Sequence, residues 1–319
     1  MSGPFCLKFK TKSGAGQQIF GGNAGDFSED AAAHLRAVPI LWYTAKKTEV
    51  DSAMDEKLTA FLGCGNMGGA LARAAAQRTK NILLTSRSGE RAAALAAELG
   101  VRSGTNRAAA ETADTLFLGV KPQMMAELAA EIAPVLAQRT DRYLLVSMAA
   151  GVPIAEIRRL FGAAGPVIRI LPNTPAAVGQ GMILWCADGA AEEEKARFLD
   201  LLGAAGEFDA LEEKYIDVGG TVSGCTPAFV FQFIEALADG GVACGLPRAK
   251  AQRYAAQAVL GSAELLLRSG AHPGALKDAV CSPGGSTIQG VRALEDGAMR
   301  GAVMEAVIAA FEKTRELGR

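Results

Sequence analysis

Gly63, Gly65 and Gly68 stand in the spacing GxGxxG, directly after the apolar run Leu58 to Leu62 and directly before the Ala-rich segment Ala70 to Gln77. That order reads as strand, glycine turn, helix. Gly63 permits the tight turn, Gly65 lets the backbone approach a pyrophosphate, and Gly68 lets the helix sit close to the strand. The phosphates would lie on the free N–H groups at the helix start, helped by its dipole. A GxGxxG alone is weak, but here both flanks fit, so Gly63, Gly65, Asn66, Met67 and Gly68 are read as dinucleotide-binding. A purely structural glycine turn is the alternative.

Downstream, strand and helix patterns alternate. Asn81 to Thr85, Thr115 to Val120, Tyr143 to Met148 and Val167 to Leu171 read as strands. Between them, helices are expected over Glu90 to Leu99, Pro122 to about Leu136, and Pro153 to Phe161. Continuous apolar runs such as Thr115 to Val120 suit parallel strands covered on both faces. The alternation predicts an α/β Rossmann domain with a doubly wound, mostly parallel sheet. Met182 to Cys186 is read as part of the sheet edge, and Glu192 to Leu202 as a helix. From about Glu213 the pattern becomes almost all helix. Pro227 to Cys244 is apolar nearly all round, which predicts a buried helix. The surplus apolar surface predicts self-association, at least as a homodimer. The expected division is an N-terminal extension over 1–53, a dinucleotide-binding domain over 54–212 and an all-α substrate-binding and dimerisation domain over 213–319.

Composition excludes several alternatives. The chain has 33 Lys and Arg against 34 Asp and Glu, with no basic field to attract nucleic acid. No apolar stretch is expected to reach the ~18 residues of a membrane span, so no membrane partner is expected. Six cysteines without a CxxC pair, and two histidines, argue against a disulfide framework or a metal site and fit a reducing cytoplasm. Residues 1–53 carry no secretory-signal pattern; a transit peptide is an alternative reading, weakened by the absence of Arg before Arg36. They are expected to be a disordered appendage, with the functional protein beginning near Met54.

The second expected strand ends Thr85-Ser86-Arg87-Ser88, with no carboxylate before Glu90. An acidic residue there would bind a ribose 2′-OH and repel a 2′-phosphate. Ser86, Arg87 and Ser88 instead offer a guanidinium fork and two hydroxyls, which predicts NADPH, with NADH as the alternative. Against this stands an ordinary exposed basic turn. Val120, Lys121 and Pro122 follow another strand end, where ligands bind in open α/β sheets; Lys121 is otherwise a solvated turn residue. Ser282-Pro283-Gly284-Gly285-Ser286-Thr287 precedes a helix and offers N–H groups and hydroxyls to a carboxylate. It also reads as an ordinary N-cap.

Residues 57–317 resemble the pyrroline-5-carboxylate reductases. The resemblance rests on Phe61 to Gly68, Val120-Lys121-Pro122-Gln123, Pro172-Asn173-Thr174-Pro175, Ala236 to Val242 and Gly245-Leu246-Pro247-Arg248. It is strongest over His272 to Asp278 and Ser282 to Ile288. It implies NADPH- or NADH-dependent reduction of L-1-pyrroline-5-carboxylate to L-proline, the last step of proline biosynthesis. It further implies that Asn106 meets the adenosine ribose or its phosphate, and that Val120, Lys121 and Pro122 border the nicotinamide. Ser282, Gly284, Gly285, Ser286 and Thr287 would hold the substrate carboxylate, with Thr287 near the imine nitrogen as the catalytic group. A homodimer, often five dimers in a ring, is implied as well. The chain departs from the family at Ser223-Gly224-Cys225-Thr226-Pro227-Ala228-Phe229, where the family commonly reads Ser-Gly-Ser-Gly-Pro-Ala-Tyr. Rival readings are a β-hydroxyacid dehydrogenase, a reductase for another imine or for a deazaflavin, and a silent cofactor-binding regulator. The first is opposed by the absence of any Lys between Tyr215 and Ala249, since alcohol oxidation needs a base.

Overall fold

The computed structural model describes residues 57–317. The expectation for residues 1–53 lies outside the described residues. Two compact units divide the rest: one holds residues 57–255 and 289–317, the other residues 256–288.

The larger unit opens with β1 (Thr59–Leu62), α1 (Asn66–Ala75), β2 (Ile82–Thr85), α2 (Glu90–Leu99), β3 (Arg102–Ser103) and α3 (Asn106–Thr112). It continues with β4 (Thr115–Leu118), α4 (Met125–Leu136), β5 (Leu144–Ser147), α5 (Ile154–Phe161) and β6 (Val167–Leu171). Next come β7 (Gly181–Asp188), α6 (Glu192–Leu202) and β8 (Gly206–Ala210). All strands join one sheet in the order β3-β2-β1-β4-β5-β6-β7-β8. Neighbours are parallel except β6 and β7. The strand order reverses between β1 and β4, which places the expected ligand crevice at their carboxyl ends.

Side-chain alternation builds two cores from each strand. Ala60 and Leu62 of β1, with Leu116 and Leu118 of β4, join a cluster with Ala109 of α3, Leu128 of α4 and Ile157 of α5. Phe61 and Phe117 point the other way, among Leu71 of α1, Leu95 of α2 and Phe198 of α6. These two rings stack across β1 and β4 with centroids 4.4 Å apart. Both faces are therefore dry, as the apolar runs predict.

Some boundaries differ from the sequence reading. The expected strand from Thr115 to Val120 ends at Leu118, because the chain turns at Gly119. Pro122 opens a short 3₁₀ turn, Pro122–Met124, before α4 begins at Met125. The edge strands β3 and β8 carry mainly exposed residues and no apolar run.

The helical part begins with α7 (Glu213–Gly220), a π-turn over Thr221–Cys225 and α8 (Thr226–Ala243). These form one unbroken run of 31 residues with a mean hydropathy of 1.2 in its most apolar window. By length and composition it could cross a bilayer, which corrects the expectation that no stretch is long enough. The polar residues Glu235 and Asp239 interrupt the apolar residues in the sequence but do not interrupt the helix. The expectation that α8 is buried is also corrected: within this chain only Ala238 of α8 is buried, and Phe231 is 65% exposed. Its apolar circumference exceeds what one chain covers. Then follow α9 (Arg248–Ser269), α10 (Pro273–Ala279), α11 (Ser286–Asp296) and α12 (Met299–Leu317). The C-terminal helix α12 packs on α7 and the π-turn.

A buried arginine fastens this run to the sheet. Arg169 of β6 is 1% exposed. It pairs with Asp217 of α7 and lies 3.6 Å from Glu213. Asp217 also accepts from the Gly151 N–H at 3.1 Å, and Glu213 from the Ile154 N–H, the first of α5, at 2.6 Å. Among the described residues Arg169 Nε has no hydrogen-bond partner. A buried charge stripped of its partner is costly, whereas an apolar replacement of similar size removes the charge with it. Asp217→Ala should therefore cost about 3 kcal/mol in denaturant unfolding, and Arg169→Met distinctly less. A loss below about 1 kcal/mol for Asp217→Ala would show that this pair does not hold the two parts together.

Candidate active site

The glycine turn is built by close backbone packing. Gly63 has φ +102°, and a Cβ there would lie 2.9 Å from the Gly119 backbone at the end of β4. A Cβ on Gly68 would meet the Gly63 carbonyl at 2.3 Å. Both contacts hold α1 and the β4 turn against the end of β1. Gly65 is different, because a Cβ there would meet nothing within 4 Å. The space above it is open, as close approach by a ligand requires. The start of α1 has no side-chain cap and no acidic residue in its first turn. Among the described residues no side chain caps those amides, and a pyrophosphate suits them. These features fit a dinucleotide.

Cys64, inside this loop, is buried, and burial pushes its thiol up to about 11. It stays neutral near pH 7 and sets no negative charge beside the phosphate site.

The structure brings the cofactor candidates to one end of the sheet. The N–H groups of Gly63 and Cys64 donate to the Thr85 carbonyl at 3.1 and 3.0 Å, tying the loop to the end of β2. Ser86 Oγ accepts from the Ala92 N–H at 3.0 Å, so it caps α2 while its own O–H remains available as a donor. Arg87 is exposed and donates to Met124 Sδ at 3.1 Å. Ser88 lies in the exposed turn before α2. Asn106 accepts from Thr85 Oγ1 at 2.5 Å and donates to Glu131 Oε2 at 2.7 Å, which fixes its amide. Val120, Lys121 and Pro122 border the β4 turn, with Lys121 exposed. Sequence reasoning missed Arg91, whose guanidinium donates to Asn66 Oδ1 at 2.7 Å, and also Met124 and Glu131. Arg91 follows Arg87 by four residues, a spacing that could have drawn attention to it.

Asn173, of the Pro-Asn-Thr-Pro motif, is a further positioning residue. It is buried, accepts from the Met182 N–H at 2.9 Å and donates to the Ser223 carbonyl at 3.0 Å. It thereby secures a π-turn carbonyl that lies in the segment departing from the family pattern. Thr226, one of the departing residues, donates its hydroxyl to the Val222 carbonyl within the same helix.

The glycine-rich turn lies in the smaller unit. Ser282, Gly284, Ser286 and Thr287 are exposed and Gly285 is half-buried. Gly284 has φ +70°, and the Gly285 N–H donates to the Ser282 carbonyl at 3.0 Å. No acidic side chain sits in the first turn of α11. His272 accepts from the Gly274 N–H through Nδ1 at 3.0 Å and caps α10, so its role there is structural.

A sequence profile described as pyrroline-5-carboxylate reductase dimerisation matches residues 213–317, and one described as NADP oxidoreductase, coenzyme F420-dependent, matches residues 59–151. The pyrroline-5-carboxylate reductase of Escherichia coli (strain K12) is 41% identical over 270 residues, covering 83% of this chain and 99% of that protein. This chain belongs to the pyrroline-5-carboxylate reductase family. The Pisum sativum member of the family is 39% identical, over 82% of this chain and 97% of its own length. The crystal structure of Plasmodium falciparum pyrroline carboxylate reductase with NADP bound matches with a TM-score of 0.74 at 30% identity. It covers 83% of this chain and 100% of its own. The match to the dimerisation profile accounts for the uncovered α8: this reductase-family chain self-associates.

Two glycine substitutions should separate packing from binding. Gly65→Ala should leave stability within about 1 kcal/mol and weaken dinucleotide binding at least about tenfold, because its Cβ fills only the ligand's space. Gly68→Ala should lower both, since its Cβ collides with the chain itself. Thermal melting and fluorescence titration with reduced dinucleotide would check this. Equal stability losses would refute the distinction.

Proposed function

We propose that this chain reduces the C=N bond of L-1-pyrroline-5-carboxylate to give L-proline, the last step of proline biosynthesis, with NADPH as the preferred reductant and NADH as the alternative. The observation that carries this reading is the likeness to the Escherichia coli enzyme over 99% of its length. Residues 54–212 are read as the cofactor-binding domain, and residues 213–319 as the substrate-binding and dimerisation domain.

The amides of Gly65, Asn66, Met67 and Gly68 hold the pyrophosphate, and Gly63 shapes the turn that presents them. Ser86, Arg87 and Ser88 receive the 2′-phosphate, and Asn106 borders the adenosine ribose. Val120, Lys121 and Pro122 border the nicotinamide. Bound NADPH supplies the hydride that adds to the imine carbon. Ser282, Gly284, Gly285 and Ser286 hold the substrate carboxylate through N–H and hydroxyl groups. Thr287 Oγ1 accepts from the N–H of the protonated substrate nitrogen and orients it.

The imine enters protonated, so hydride addition at carbon leaves a neutral secondary amine whose N–H is already present. No general base is needed in that step, in keeping with the capping role of His272 and the absence of Lys from Tyr215 to Ala249. Rate then depends on holding the carbon in a near-attack arrangement.

The assembly is read as a homodimer through the helical region, with five dimers forming a decamer. Support comes from the exposed side chains of Phe231, Leu260, Leu267 and Met304. The same reading takes α8 as an association surface and leaves the chain without a membrane or nucleic-acid partner. Isolated thiols support a cytoplasmic location.

The test is oxidation of NADPH by the purified chain with and without pyrroline-5-carboxylate, followed by the loss of reduced-nicotinamide absorbance. Substrate-dependent oxidation is expected. NADPH binding without turnover would overturn the reading in favour of a silent binding protein. Thr287→Ala should lower kcat at least about tenfold with NADPH affinity retained, while Thr287→Ser keeps most of the activity. An unchanged kcat would remove Thr287 from the mechanism.

A further inference from the structure

We infer that Arg91 is a second guanidinium for the cofactor's 2′-phosphate, and that Arg91 acts with Arg87 to set the preference for NADPH over NADH. The inference rests on the cofactor reading above and extends it to a residue that the strand-end motif does not contain.

In this fold the loop after β2 faces the 2′ position of the adenosine ribose. Three polar groups stand on this loop and the first turn of α2. Ser86 is oriented by its bond to the Ala92 N–H and keeps a free O–H to donate. Arg87 extends to Met124 Sδ beside the β4 turn, at 3.1 Å. Arg91, in the first turn of α2, reaches in the other direction to Asn66 Oδ1, at 2.7 Å, on the start of α1. The two guanidinium groups therefore reach toward opposite sides of the end of β2.

Charge balance sets these two arginines apart from the ion-paired ones, although Arg102 likewise meets an amide oxygen, that of Asn81, at 2.7 Å. Arg73 is paired with Glu98, Arg107 with Glu111, and Arg142 with Glu194. Arg87 and Arg91 are both exposed, and each meets only a neutral acceptor, a thioether for one and an amide oxygen for the other. Among the described residues neither is ion-paired, although Glu90 lies next to Arg91 in the chain. Two uncompensated guanidinium groups and a hydroxyl donor at a ribose 2′ position match a phosphate dianion in charge and in hydrogen-bonding capacity. A ribose 2′-OH would leave both cations without a counter-charge. Asn66 supports Arg91 from the glycine loop, so the phosphate receptor spans two strand ends.

The test is direct binding of NADPH and of NADH to the full chain by nicotinamide fluorescence, alongside kcat/KM for each. Wild type, Arg91→Ala, Arg91→Lys and Arg87→Ala are compared. Arg91→Ala should weaken NADPH binding about ten- to a hundredfold and leave NADH binding within about twofold, since a charge-assisted bond of this kind is lost only with the phosphate. Arg91→Lys should fall between, because it keeps the charge and loses the fork. Equal weakening of both cofactors would overturn the inference and assign Arg91 to the loop or pyrophosphate. No change in either would overturn it as well. Binding selectivity is read without the imine, so failed turnover in wild type with normal NADPH binding would count against the proposed reaction alone.

Discussion

The ion pair between Arg169 and Asp217 is the interaction on which the larger unit is arranged. Arg169 stands in β6, inside the sheet, where a charge survives only with close partners. Those partners come from the first helix of the all-α part, and the same two carboxylates cap backbone N–H groups at Gly151 and Ile154. One buried cation thus fixes the entry of a long helical run, the turn after β5 and the start of α5. Asn173 adds a neutral counterpart one strand end away, holding the π-turn by its Ser223 carbonyl. The motif Pro-Asn-Thr-Pro earns its place through that amide.

Much of the sheet was legible in the sequence because each buried strand is a short apolar run whose alternate residues enter different cores. Phe61 and Phe117 illustrate this: they are equivalent positions of adjacent strands and stack on one face. The glycine loop was equally legible, since Gly63 and Gly68 meet constraints of φ and of close approach that no other residue meets. Edge strands were not legible. Arg102–Ser103 and Gly206–Ala210 owe their strand form to a neighbour's hydrogen bonds, and their side chains carry no pattern.

The site was legible in its loops and obscure in its cross-links. Ser86, Arg87 and Asn106 follow from position after a strand, but Arg91, Met124 and Glu131 matter through partners more than thirty residues away or on another element. No local spacing encodes such pairs. The helix α8 fails differently. Its composition reads as buried, and within one chain it is not, because composition reports the environment of the assembly and not of the isolated subunit.

The π-turn at Thr221–Cys225 carries a consequence for how this chain tolerates length change. A helix advances by about 100° per residue, so a wider turn at one place alters the phase of everything after it. Upstream of the turn, α7 is locked in azimuth by Asp217 and Glu213 on the sheet; downstream, α8 presents its apolar flank outward. Removing a single residue between them would leave α7 seated and swing the α8 flank about a quarter turn. Substitutions here are local events, whereas insertions and deletions re-index a whole surface. The segment at which this chain departs from the family's common motif is therefore one whose residue count is tightly constrained.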